Sequence, residues 1–433
     1  MFPRRVENFS DQYALMYPGK RAKVITFIVT HNCNLRCSYC YECNKGGGSM
    51  SFETAKKCID MLFREDEKGK GYITPESHDG IILDFIGGEP LLEAELIDKT
   101  LDYFRSEALK KNHRWLNNYM ITISSNGIPY FEEATQNLIK HNLGRINIAI
   151  TIDGNQQLHD SCRKFADGRP SYEAAAAAFK DVVDKFGLKG TKLTIAPANV
   201  NYLFEACKDM IENFNLSSLQ GNTVYEQGWD LNHARIFYYE LKKLADWLIK
   251  TERWKETWVS FFDENIGRPL DPITENNNWC GGTGSMLAFD IDGTIYPCMR
   301  YSPLSMGYDL PLLKIGHCDT GIETKEEEYN IVKCLNCITR CSQSTQECID
   351  CPIASGCAWC SAYNYEVFGE LNKRATFICP MHKARVMATS YFYNTIYHLQ
   401  GIKERFSLNM PKEWALEIID EEEYKKLLTL ANN

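Results

Sequence analysis

The sequence predicts an α/β fold: a partial barrel of about six β/α units, then a small irregular cysteine-rich domain with few strands, then a C-terminal helix. Strand-like and helix-like segments alternate at intervals of roughly 30–50 residues from residue 22 onward, the pattern of parallel βαβ units. Eleven of the 18 cysteines lie between Cys280 and Cys379, where helical periodicity thins out. Three others, Cys33, Cys37 and Cys40, directly follow a β-branched run at residues 24–29. They therefore leave a strand at its C-terminal end, where the ligand-facing loops of such sheets lie.

Residues 1–21 are polar and irregular, with a turn at Pro18-Gly19, and read as an N-terminal extension. Residues 22–29 read as the first strand and 51–64 as a helix, with Ser51 as N-cap and Glu53 and Thr54 in its first turn. A short apolar run at 81–86 predicts the second strand, and apolar residues at helical spacing over 91–110 predict the helix behind it. Further strands are expected at 120–124, 146–152 and 192–196, separated by helices at 131–141, 172–186 and 202–214. The alanines at 174–178 strengthen the second of these helices. Residues 232–251 form a long amphipathic pattern that closes the first domain, and 257–271 read as a connector. Composition changes at Asn276, with Gly281-Gly-Thr-Gly284 followed by closely spaced cysteines, so the boundary is placed near residue 275. The expected units are therefore a barrel at 22–275, a cysteine-rich domain at 276–380 and a helical extension at 381–433.

A chain of 433 residues accommodates such a barrel with its attachment. A net charge of −9 and a pI near 5.6 argue against nucleic acid or an anionic membrane as partner, since both require clustered Lys and Arg. No apolar run approaches the length of a membrane span, and none follows the N-terminal arginines, so a cytoplasmic protein is expected. Thiols stay reduced there, and clustered cysteines then read as metal ligands rather than disulfides.

Cys33-Asn-Leu-Arg-Cys37-Ser-Tyr-Cys40 can hold three corners of a four-iron cluster and leave one iron without a protein ligand. A zinc or disulfide loop is the alternative, although zinc sites more often use two C-x2-C pairs. In Gly87-Gly88-Glu89-Pro90, at the end of the second strand, two glycines permit close approach to a ligand. Glu89 offers an acceptor to an ammonium, and Pro90 stops the strand. Asn126 and Asp153 each precede a glycine, where turn chemistry alone accounts for them. Arg163 can pair with a carboxylate. Cys58, Cys162 and Cys207 are isolated and read as packed apolar side chains, whereas Cys43 is either a substitute for a triplet member or a free thiol.

The C-x3-C-x2-C spacing with Tyr39 before its last cysteine resembles the signature of radical S-adenosylmethionine (radical SAM) enzymes, and Gly87–Pro90 resembles their "GGEP" element. That resemblance implies a partial (β/α)6 barrel. It also implies S-adenosyl-L-methionine on the open iron of a [4Fe-4S] cluster at Cys33, Cys37 and Cys40, with Tyr39 near the adenine. Gly87, Gly88, Glu89 and Pro90 would hold the methionyl amine, and Asn126, Thr151 and Asp153 would lie near the ribose and carboxylate. Arg163 would pair with the carboxylate. Thr151 stands where Ser is common in the family.

Cys280, Gly293 and Cys298, then Cys348-x2-Cys351-x5-Cys357-x2-Cys360 and Cys379, resemble the SPASM extension of radical SAM peptide and protein maturases. The family spacing before the last member of the quartet is usually three residues, and here it is two. The resemblance implies two auxiliary [4Fe-4S] clusters, one on Cys348, Cys351, Cys357 and Cys379, the other on Cys280, Cys298 and Cys360. The second would have either an open iron or a spare ligand. Cys318, Cys334, Cys337 and Cys341 are the spares, sufficient for a third cluster or a zinc site.

Sulfatase-maturating relatives carry a proton-accepting Asp after the cysteine equivalent to Cys298, where this chain has Met299. Methionine accepts no proton. An open auxiliary iron suits a substrate thiolate, so the reading is an enzyme forming a thioether crosslink in a cysteine-containing, ribosomally made precursor peptide. Sulfatase-type oxidation and carbon-carbon crosslinking are the alternatives within the family, and a non-catalytic iron-sulfur or zinc scaffold is the alternative outside it. Only 32 residues precede Cys33, too few for the leader-binding winged-helix module of many relatives. A separate leader-binding protein is therefore expected, together with an electron donor such as ferredoxin or flavodoxin.

Overall fold

The computed structural model describes residues 22–64, 80–188, 190–226, 228–276, 280, 286–307, 309–322 and 331–432. The expected N-terminal extension and the Gly281–284 run lie outside them. Four strands, β1 (Ala22–Thr30), β2 (Gly80–Gly87), β3 (Tyr119–Ser125) and β4 (Ile146–Ile150), pair in parallel in chain order. A second parallel sheet joins β5 (Gly190–Ile195), β6 (Ser218–Thr223) and β7 (Trp258–Val259). Together they make the partial barrel. No strand pairing joins β4 to β5 among the described residues, but Asp153, just past β4, accepts a hydrogen bond from Thr194 N of β5 at 2.8 Å.

From Ile25 to Thr30 every residue of β1 is buried, because both faces of a parallel strand are covered. Phe27 stacks on Phe85 of β2 with ring centroids 5.3 Å apart. The helix Phe52–Leu62 is capped by Ser51, whose Oγ accepts from Thr54 N at 2.9 Å, and buries Ala55, Cys58, Ile59 and Leu62 on one face.

Beyond residue 275 the sheet does not end. β8 (Met286–Phe289) pairs in parallel with the free edge of β1, and β9 (Thr294–Tyr296), β10 (Gly316–His317) and β11 (Gly321–Ile322) continue antiparallel. Phe289 meets Phe27 at 5.3 Å, so the cysteine-rich half shares its first core contacts with the barrel. Short helices, Ile331–Asn336, Arg340–Gln343 and Gln346–Ile349, precede the helix Ser361–Phe368. The long helix Cys379–Leu399 packs on Leu231–Lys250 and is apolar on most of its circumference, as befits a helix enclosed on several sides. None of the described helices is long and apolar enough to cross a membrane.

Candidate functional site

The cysteine loop is stitched down on two sides. Arg36 N donates to Lys164 O at 2.7 Å and Ser38 N to Cys162 O at 2.9 Å, which brings the segment after the helix Gln156–Cys162 against the loop. On the other side Gly88 N donates to Thr30 O at 3.0 Å and Glu89 N to Asn32 O at 2.9 Å. The contact is so close that a Cβ on Gly88 would lie 2.3 Å from Asn32 O and 2.9 Å from Cys33 Cβ. The two glycines were expected to admit a ligand. Gly88 also admits the cysteine loop's own backbone and Gly87 the Thr30 carbonyl at the end of β1, and both line the cavity described below.

Glu89 is buried, and three of its roughly four lone-pair positions are used within the protein. Oε1 accepts from Leu91 N at 3.0 Å and Ser125 Oγ at 2.7 Å, while Oε2 accepts from Asn126 N at 2.7 Å. It caps the turn Pro90–Glu93 and ties the ends of β2 and β3 together. Burial pushes its carboxyl up to about 7. Asn126 then reaches the loop, its Nδ2 donating to Asn34 Oδ1 at 2.6 Å and lying 3.8 Å from Cys33 Sγ.

Tyr39, Asp153 and Arg163 form one network. The Tyr39 hydroxyl donates to Asp153 Oδ2 and accepts from Arg163 Nη1 at 2.8 Å. Asp153 is wholly buried, with its other oxygen taken by Thr194 N. It stands behind Tyr39, which takes Oδ2, while Oδ1 bridges the gap between β4 and β5. The buried His159 supports it, its Nδ1 accepting from Asp153 N at 3.3 Å.

Cys33, Cys37 and Cys40 come close enough to perturb one another. Burial raises all three thiols, Cys40 to about 11, while Lys45 and, at Cys37, Arg163 act in the opposite sense. Cys43 is exposed, with its Sγ near Asn44 and Ser305. In the C-terminal half, burial raises the Cys298 thiol, and Cys360 and Cys280 add to it. Cys379 is raised to about 11 by burial and then by Cys357, Cys351 and Cys348. The thiols acting on Cys298 are thus Cys360 and Cys280, and those acting on Cys379 are Cys357, Cys351 and Cys348. Cys318 lies against Cys58.

A buried guanidinium nitrogen without a partner stands beside each set: Arg163 Nε, Arg300 Nε and Arg340 Nη1. An anionic thiolate-bound cluster offers acceptors to such donors, so the residues present fit three clusters. A tetrahedral zinc would draw its sulfurs to within about 4 Å of one another. No three cysteine sulfurs among the described residues are mutually that close.

A cavity of ≈ 600 Å³ opens at the strand ends. Its wall includes Cys33, Cys37, Tyr39, Cys40, Gly87, Gly88, Glu89, Asn126, Thr151 and Arg163, and on the far side Tyr225, Glu226, Met299 and Arg300. Glu226 accepts from Arg300 Nη2 at 2.9 Å, and the Arg300 guanidinium lies 4.6 Å from the Tyr41 ring centroid. Tyr41, Lys45, Tyr225 and Glu226 escaped the sequence reading, because isolated residues in segments without a motif carry no signal. Glu42, buried and pushed up to about 8 by that burial, is another.

Residues 27–196 match the family model of the radical SAM superfamily. Two curated relatives are an uncharacterized protein of Methanocaldococcus jannaschii and a cysteine-type anaerobic sulfatase-maturating enzyme of Clostridium novyi. The first is 34% identical over 33% of this chain and 42% of that protein, so the chain spans less than half its length. The second is 22% identical over 62% of this chain and 71% of that protein. The fold is that of native anSMEcpe, solved with bound AdoMet and Cp18Cys peptide. The two agree with a TM-score of 0.61 at 19% identity, over 88% of this chain and 100% of that one.

Proposed function

The chain carries a radical SAM domain over residues 27–196, and from that premise we propose that it is a peptide maturase forming a thioether between a cysteine sulfur and a carbon of a precursor peptide. When bound, S-adenosylmethionine and the cluster on Cys33, Cys37 and Cys40 supply the 5'-deoxyadenosyl radical that removes a hydrogen atom from the substrate. Thr151 and Asn126 orient the cofactor, and Arg163 takes the carboxylate. Tyr39 lies along the adenine, held there by Asp153. Gly87 to Pro90 keep the loop in register with β2 and leave one Glu89 lone pair for the amine.

The observation that carries the reading is the continuity of the cavity from the first cysteine loop to Met299 and Arg300, beside Cys298. A peptide bound along it has one residue at each end. Three thiols at the far end, Cys280, Cys298 and Cys360, leave a fourth ligand position for a substrate sulfur, whereas the quartet at Cys348, Cys351, Cys357 and Cys379 is complete. Met299 takes no proton. Glu226, on the same wall, is the carboxylate that receives the thiol proton. The substrate carbon gives up a hydrogen atom to the 5'-deoxyadenosyl radical, the thiol gives its proton to Glu226, and the electron released as the carbon–sulfur bond forms would pass to the cluster that Cys280, Cys298 and Cys360 would hold, so the product is two hydrogens lighter. A ferredoxin or flavodoxin supplies the reducing electron, and a separate protein delivers the leader.

Anaerobically reconstituted protein with S-adenosylmethionine and a strong reductant is expected to release 5'-deoxyadenosine. A cysteine-containing peptide co-expressed with it should lose two hydrogens and one alkylatable thiol. Absence of 5'-deoxyadenosine rejects the enzyme reading, and a modified peptide with all thiols free rejects the thioether.

A further inference from the structure

The hairpin turn between β10 and β11 presents His317, Cys318 and Asp319 in succession. Their Nδ1, Sγ and carboxylate oxygen all lie within 4.8 Å of one another. His317 Nδ1 is 3.8 Å from Cys318 Sγ and 3.4 Å from Asp319 Oδ2. Ligands on a tetrahedral zinc, with bonds of about 2.0–2.3 Å, stand about 3.3–3.8 Å apart, so these donors already have the spacing of a shared ion. The Cys58 thiol of the helix Phe52–Leu62 interacts with Cys318 from the facing side; it lies outside the group of three mutually close donors and would close on the ion as the fourth.

The surroundings orient the donors. His317 Nε2 lies 3.1 Å from Asp292 O, an acceptor only, so Nε2 carries the proton and Nδ1 carries the lone pair. That nitrogen accepts a hydrogen bond from Asp319 N at 3.2 Å, which binding of an ion would replace. Lys57 holds Asp319 Oδ1 at 3.0 Å and leaves Oδ2 turned toward the histidine. Gly293 makes room for the thiol, since a Cβ there would lie 2.4 Å from Cys318 Sγ. Two cysteines, a histidine and a carboxylate form a borderline-soft donor set, which selects zinc over calcium or magnesium.

We propose that Cys58, His317, Cys318 and Asp319 form a structural zinc site that fastens the first helix of the barrel to the β10–β11 hairpin. It stands apart from the iron-sulfur sites and does not depend on the reaction assigned above. Its consequence is mechanical. The hairpin pairs with β9, and β9 leads into Cys298, so the clip fixes the far wall of the cavity relative to the first cysteine loop.

The test is zinc and iron content of the anaerobically purified holoprotein by elemental mass spectrometry, for wild type and for Cys58→Ser, Cys318→Ser and Asp319→Asn. Wild type should carry about one zinc per chain. Cys58→Ser and Cys318→Ser should lose it with iron unchanged, and stripped wild type should take up added Zn²⁺ while these variants do not. Asp319 is exposed, so Asp319→Asn keeps the fold if the thiol variants do not, and should weaken zinc retention against a competing chelator. The proposal is overturned by a wild type that neither carries nor takes up zinc, by folded variants that retain it equally, or by a Cys58–Cys318 disulfide in non-reducing peptide maps.

Discussion

A single methyl group at position 88 would meet the Asn32 carbonyl at 2.3 Å, a backbone atom with no freedom to yield. Gly88→Ala is therefore expected to displace the cysteine loop, lowering stability by roughly 1–3 kcal/mol and the iron bound at the first site. Thermal unfolding and iron counting check this. His159 is a second sensitive position. Ser171 Oγ gives its proton to Arg163 O at 2.9 Å, so His159 Nε2 must be the donor to Ser171 and Nδ1 the acceptor from Asp153 N. Adding a proton at Nδ1 breaks that arrangement, and burial together with Arg163 pushes the imidazole down to about 3. A folded-state value below the unfolded one of about 6.5 means that the unfolded chain binds the extra proton first. The contribution is complete above pH 6.5 and is lost as the pH falls toward 3. Urea unfolding between pH 7 and pH 5 should show a falling stability whose slope is reduced in His159→Gln. An equal slope in that variant would remove His159 from the account.

At the scale of elements, Glu89 joins β2, β3 and the cysteine loop through one carboxylate. In Glu89→Gln the amide nitrogen must face one or two of the three donors, and at least one buried N–H or O–H is left unpaired. A loss of about 1–3 kcal/mol in chemical denaturation is expected, with weaker S-adenosylmethionine binding by calorimetry. Elements with strong local signals were legible beforehand. The Ser51 cap, the helix Tyr172–Phe186 and the strand β1 follow from capping and periodicity that no neighbour overrides. The strand β6 was missed. Its Ser-Leu-Gln-Gly-Asn-Thr has one large apolar residue and no β-branched run, and only its ladder to β5 makes it a strand. The helix Gln156–Cys162 was also missed, although Asn155 caps it by accepting from Leu158 N at 3.0 Å, because the preceding Asp153-Gly154 read as a loop.

For the whole molecule, the cavity predicts a division of labour between its two ends. Replacing Cys33, Cys37 and Cys40 with alanine should abolish 5'-deoxyadenosine release. Replacing Cys280, Cys298 and Cys360 should leave that release within a few-fold of wild type while removing crosslinked peptide by mass spectrometry. Loss of both activities in the second variant, with the fold intact by circular dichroism, would place the trio in electron supply instead. Glu226→Gln gives an intermediate case: product formation should fall and regain part of its rate at higher pH, where the substrate thiol loses its proton unaided. The shared sheet makes such coupling physical, since β8 pairs with β1, the strand that leads into the first cysteine loop.

Read alone, the sequence determined the α/β alternation, the cysteine loop at a strand end and the grouping of the late cysteines, because short-range patterns and fixed ligand spacings encode them. Only the tertiary structure decided which buried groups face one another. It turned Asp153 inward to bridge two strands, set Gly88 against Asn32, and brought Cys318 to Cys58 across 260 positions of chain. Such contacts arise from packing between elements far apart in the chain, and no local pattern records them.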